Sequence, residues 1–130
     1  MRLLVTGSRD WEGVAAEARV QVTLNMILAL CDVLGTKLTL VHGDCPTGAD
    51  AIADRWARRR DNLVTVEPHP ARWVRHGGAA GPIRNLEMVN RGADMCIAFL
   101  KDDSRGTSNC VSLSRMAGIP TFVVHWKEVE

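Results

Sequence analysis

Residues 38–50, LTLVHGDCPTGAD, decide the fold. The stretch opens as a short apolar run, turns through Gly43 and Gly48, and restarts with a different period. From there Ala49, Ile52, Ala53, Trp56 and Ala57 recur on one helical face. A strand that passes through a glycine loop into a helix is the repeating unit of an α/β protein.

Working outward, the unit recurs along the chain. Apolar runs at 3–6 (LLVT), 63–67 (LVTVE), 95–100 (MCIAFL) and 121–126 (TFVVHW) join the run at 38–42. Most are continuously apolar, as parallel strands covered on both faces are. Val20, Leu24, Ile27, Cys31 and Leu34 mark a helix that Gly35 stops. A third helix is expected at GPIRNLEMVNRG, with Pro82, Arg84 and Asn85 in its first turn, and Glu87 spaced to pair with Arg91. A fourth runs from about Thr107 to Ala117. The segment 68–81, PHPARWVRHGGAAG, reads as a long irregular flap. The order βαβαβαβαβ predicts one doubly wound α/β domain over residues 1–130. Its five-stranded sheet is mostly parallel, with helices on both faces.

Bulk composition narrows the function. A length of 130 residues suits one domain, and 46% hydrophobic with 24% charged residues excludes a disordered chain. A formal net charge of +1 argues against a general nucleic-acid binder. The basic run RWARRR, 55–60, reads as a helix end facing solvent. No apolar run reads as a membrane span, and MRLLVTGSRDW lacks the core of a signal peptide, so a cytoplasmic protein without membrane contact is expected. Four cysteines, at 31, 45, 96 and 110, form no CxxC pair. Cys31 and Cys96 read as buried hydrophobes, whereas Cys45 and Cys110 fall beside loops and are candidates for reactivity or mutual approach. Histidines 42, 69, 76 and 125 show no metal spacing, so neither a metal nor a cofactor is expected. His42 and His125 read as satisfied core residues, and His69 and His76 as flap residues.

Ligands of such sheets bind beyond the carboxyl ends of the strands, so the loops there carry the function. After the first strand, Gly7 allows a tight turn. Ser8, Arg9, Asp10 and Trp11 follow as ligand-facing candidates, Arg9 being suited to phosphate. After the second, Gly43 and Gly48 resemble the glycines of a phosphate loop, but Asp50 stands where its lysine belongs. Thr47 and Asp50 also fit a capping box, which leaves Gly43 and Asp44 unexplained. After the fourth, Gly106, Thr107 and Ser108 open a helix and offer backbone amides to an anion. Arg84 and Asn85 lie near a helix start, where positive charge opposes the dipole, so the arginine is expected to serve another partner.

Together TGSRDW, HGDCPTGADAIADRWA, GPIRN and RGTS resemble the SLOG superfamily, the Rossmann-like group that joins the Lonely Guy proteins and DprA. They are most similar to its YspA-like, cpYpsA-related branch, found in bacteria and phages. The resemblance implies a Rossmann-like three-layer domain that binds or senses a nucleotide or nucleotide-derived small molecule, and that pairs with itself as a homo-oligomer, a dimer. In Lonely Guy enzymes an arginine and a glutamate after a GT motif hydrolyse nucleoside 5′-monophosphates. Arg84 and Gly106-Thr107 match, but the glutamate position is Cys110 and the preceding PGG is DSR, 103–105. A thiol does not readily replace a carboxylate in that chemistry. An N-glycosidase would therefore draw its acid or base from Asp44 or Asp50. Single-strand binding in the manner of DprA is disfavoured by the charge and by the absence of tyrosine.

Overall fold

The computed structural model describes residues 1–126. In chain order the elements are β1 (Arg2–Gly7), α1 (Val14–Leu34), β2 (Leu38–His42), α2 (Gly48–Arg58), β3 (Val64–Pro68), α3 (Trp73–His76), a 3₁₀ turn (Gly77–Ala79), α4 (Ala80–Asn90), β4 (Met95–Lys101), α5 (Arg105–Met116) and β5 (Thr121–Trp126). The five strands form one sheet in the order β3-β2-β1-β4-β5, every neighbouring pair parallel. Leu4 of β1 sits level with Val41 on one side and Cys96 on the other.

Strand alternation divides the core in two. Leu3 and Val5 face one side, where Val20, Leu24, Ile27 and Cys31 of α1 join Ile52, Ala53, Trp56 and Ala57 of α2. Leu4 and Val41 face the other, against Met88 and Val89 of α4 and Cys110 of α5. The fully buried aliphatic side chains contribute roughly 1.5–3 kcal/mol each. Trp11 belongs to the first core. Its ring stands edge-on to Phe99 at 5.4 Å and to Trp126 at 5.6 Å, and its Nε1 donates to Ala16 O at 2.8 Å.

Several expectations need correction. Leu34 is exposed rather than part of the α1 stripe. Gly35, at φ 68°, turns the chain there with its amide on Asp32 O. The segment 68–81 is irregular only over residues 69–72, because α3 and the 3₁₀ turn lead directly into α4. Arg84 and Asn85 consequently fall in the second turn of α4, not the first. Glu87 and Arg91 form no ion pair, being joined only through the Arg91 amide and Glu87 O. His125 is exposed on the edge strand β5 rather than buried. Contrary to the reading of its sequence, α1 has the length and mean hydropathy (1.4) of a membrane span. It carries no charged side chain between Arg19 and Asp32.

The basic run behaves as a helix end. Arg55 pairs with Glu17, Arg58 with Asp54, and Arg60 stacks 4.6 Å over the Trp56 ring.

Sheet order reverses at β1, whose successor β2 lies on one side and β4 on the other. A crevice opens at that point, beyond the carboxyl ends of these strands.

Candidate functional site

The crevice is a cleft of about 570 Å³, within the range of small-molecule sites. Thr6, Gly7, Arg9 and Asp10 come from β1 and its loop, and Gly43, Cys45 and Asp50 from the β2–α2 segment. Arg84, Asn85 and Met88 come from α4, while Lys101 and the 102–107 turn close the far side.

Arg84 is the central cation. It is 9% exposed, although a guanidinium is seldom buried without a partner. Its Nε donates to Asn85 Oδ1 at 2.9 Å, and its Nη1 donates to Gly43 O and, at 3.5 Å, to His69 O. All these partners are neutral, and Nη2 makes no bond within the described residues. Asn85 in turn donates to Gly106 O at 3.2 Å and Asn109 Oδ1 at 3.0 Å, so α5 fixes the amide that aims the arginine.

The start of α5 adds a second anion-seeking feature. No side chain caps it, since the Ser104 hydroxyl bonds Thr107 Oγ1 at 3.2 Å instead. The amides of its first turn therefore lack intrahelical partners and face a ligand-sized space with the positive end of the helix dipole.

Asp50 lies in the first turn of α2, 4% exposed on the cleft floor. The capping box expected with Thr47 does not form. The Thr47 hydroxyl donates to Arg9 O at 2.9 Å, and Asp50 Oδ2 accepts the Cys45 amide at 3.4 Å. Asp50 Oδ1 is buried without a partner. Burial pushes the carboxyl above its ordinary range, against the opposing pull of His42, Cys45 and Arg84. Burial likewise raises the Cys45 thiol, helped by Asp50, so it is held as a thiol rather than a thiolate nucleophile.

The remaining candidates divide by position. Gly7, Arg9, Asp10, Gly43, Gly106 and Thr107 line the cleft, with Arg9 lying 5.5 Å over the Trp73 ring at the mouth. Ser8 is turned inward, its Oγ accepting the Lys101 amide at 2.9 Å. Trp11 is core, and Ser108 is exposed outside the cleft. Gly48, at φ 74°, is packed on Ser8, so its need for glycine is steric. Asp44 is exposed on an adjoining hollow. Its backbone has φ 55°, and its amide donates to His42 Nδ1 at 2.9 Å. That bond leaves His42 Nε2 to donate to Asp54 at 2.8 Å, which satisfies the buried ring.

Cys110 does not approach Cys45. It is buried against Cys96, and that thiol contact together with burial pushes its own thiol far up. Among the described residues no group of three or more His, Cys, Asp or Glu is placed to hold a metal ion.

Sequence reasoning passed over Lys101 and Trp73. Lys101 is the last residue of β4, and its position at a strand's carboxyl end was the available signal. Trp73 lay hidden in the segment taken for a flap.

The family model described as "YspA, cpYpsA-related SLOG family" matches residues 1–76. The Gene 61 protein of Mycobacterium phage D29 is 43% identical over 127 residues, covering 93% of this chain and 94% of that relative. No solved structure matches.

Proposed function

Because the chain belongs to the YspA, cpYpsA-related SLOG family, we propose that it binds a nucleotide or nucleotide-derived small molecule in the cleft between β1, β2 and β4. One observation carries this reading: a buried guanidinium, Arg84, that among the described residues has only neutral partners and an unbonded Nη2, beside a cavity of about 570 Å³. A phosphate there takes charge-assisted bonds from Arg84 and from the open amides of α5. Arg9 and Lys101 raise the local potential, while Asp10, 3.9 Å from Lys101, offsets part of it. Gly7 packs closely on Ala49 and Phe99, Gly43 packs on Arg84, and Asn85 keeps the guanidinium aimed.

Thermal shift with a panel of nucleoside mono-, di- and triphosphates tests the reading. At least one nucleotide should stabilise the wild type, and Arg84→Ala should lose roughly 100-fold in affinity, about the worth of a charged hydrogen-bond pair. If every nucleotide leaves the melting temperature unchanged, the reading fails.

A second reading, nucleotide N-glycosidase activity, draws on the buried Asp50 carboxyl. It is the acid best placed for such a reaction, since Cys110 points into the core and Asp44 outward. Release of free base from a nucleoside monophosphate, abolished by Asp50→Ala, is the expected outcome for that reading. Absence of turnover removes it and leaves binding.

A further inference from the structure

We propose that Asp50 serves the cleft as a neutral carboxylic acid, donating a hydrogen bond to an uncharged acceptor on a phosphate-bearing ligand whose negative charge Arg84 takes. This rests on the binding reading above and adds to it a specificity-determining group and a chemical limit on the ligand.

The geometry of Asp50 is that of an acid rather than an anion. A carboxylate seeks several donors, yet Asp50 receives only the Cys45 amide at 3.4 Å and the weakly donating Cys45 thiol, and its buried Oδ1 has no partner among the described residues. The charged and titratable groups facing it come from β2, α4, α5 and the β2–α2 loop, and none of them forms an ion pair with it. His42 on β2 uses both ring nitrogens, on Asp54 and the Asp44 amide. Arg84 on α4 spends its bonds on Gly43, His69 and Asn85 and makes no ion pair with Asp50. Cys45 in the loop is held as a thiol, and Cys110 on α5 faces Cys96. Burial outweighs the attraction of His42, Cys45 and Arg84, and it favours the protonated form.

Gly43 shows how the two groups share the floor. A Cβ built there would lie 2.6 Å from Arg84 Nη1 and 3.0 Å from Asp50 Oδ2, so both border one small space. An ionised Asp50 would cancel much of the field that Arg84 offers an anion. A neutral Asp50 leaves that field intact and gives the carboxyl a proton to donate. The ligand must then be anionic at one end and present an uncharged acceptor at the other, such as a ring oxygen, a ring nitrogen or a carbonyl. A second anionic group reaching the floor would force proton rearrangement and is disfavoured.

Two measurements test this. The ¹³C shift of the Asp50 carboxyl reports its protonation in the ligand-free protein, and it should be that of the acid at neutral pH. Calorimetry with adenosine 5′-monophosphate and with inorganic phosphate, across about pH 6 to 9, then compares wild type, Asp50→Asn and Asp50→Ala. Asparagine keeps a donor without a charge. It should hold the nucleotide within about twofold of the wild type at the acid end and bind independently of pH. Alanine should lose roughly tenfold for the nucleotide and little for phosphate. An ionised carboxyl at neutral pH, or an asparagine variant as weak as alanine, overturns the donor role while leaving nucleotide binding standing. A protein that binds neither probe and is stabilised by no nucleotide of the thermal-shift panel overturns the binding reading and the donor role with it.

Discussion

Gly43 has no room for a side chain, since the nearest atom to an added Cβ is Arg84 Nη1 at 2.6 Å. Gly43→Ala should therefore displace the guanidinium from its carbonyl partner and lower nucleotide affinity at least tenfold. The variant should still fold, with a loss of roughly 1–3 kcal/mol by denaturant melts. Asp50 carries a stability signature of its own. Its folded-state pKa lies above the unfolded value, so its contribution is fully present below the unfolded pKa of 3.8 and is lost as pH rises through the raised folded value. Asp50→Asn should thus match the wild type least well at alkaline pH, where removing a buried negative charge makes the variant the more stable; urea titrations across pH measure the difference. Equal pH dependence in both proteins contradicts a raised pKa. The sequence marked Arg84 as a positive charge at a helix start, but the structure sets it in the second turn of α4, where its place in the cleft depends on Gly43 and Asn85. Asp50 was only partly legible: Thr47 and Asp50 have capping-box spacing, and nothing local reveals that Arg9 O takes the threonine hydroxyl. Asp44 looked functional because no cap explained it, whereas a backbone φ of 55° and its amide bond to His42 give it a turn-forming role.

At the scale of elements, the start of α2 is set by how closely it meets the β1 loop. At Gly48 a Cβ would stand 2.1 Å from Ser8 O and 2.7 Å from Arg9 Cα, with the backbone at φ 74°. Gly48→Ala should cost more than about 2 kcal/mol, combining left-handed strain with a backbone clash, as read by chemical denaturation. A loss under about 0.5 kcal/mol would mean that the two loops separate freely. Across the sheet, Arg2 of β1 reaches Glu67 of β3 through two bonds, at 3.0 and 2.9 Å. This pairing, aided by His69, holds the Glu67 carboxyl down at about 2. A lowered pKa gives stability that is present above the unfolded value of 4.5 and lost as pH falls through about 2. Glu67→Gln should cost roughly 0.5–1 kcal/mol near neutral pH, as half-exposed pairs do, with the gap closing in that acid window. The α2 stripe was readable in full from periodicity, because every member is buried. The helical nature of 73–81 was not readable, since its glycines and the prolines before it signal a loop while α3 and the 3₁₀ turn lean on α4.

For the whole molecule, the alternation of apolar runs with 3.6-period segments was enough to place five strands and a binding face. Continuous apolar strands require cover on both sides, and right-handed crossovers leave few topologies. The strand order β3-β2-β1-β4-β5 then puts the ligand loops around one crevice. Which side chains enter it was less accessible, because that depends on contacts between distant segments. Examples are Asn85 with Asn109, Arg84 with Gly43, and Ser8 with Lys101. The central claim is that a nucleotide occupies this crevice and engages Arg84. It is tested most directly by titrating isotopically labelled protein with a stabilising nucleotide and following amide and arginine side-chain resonances. Shifts should concentrate at Gly7 to Asp10, Gly43 to Cys45, Asp50, Arg84–Asn85 and Ser104 to Thr107, together with the Arg84 side chain. Saturating shifts confined to other surfaces, with these signals unmoved, would contradict it.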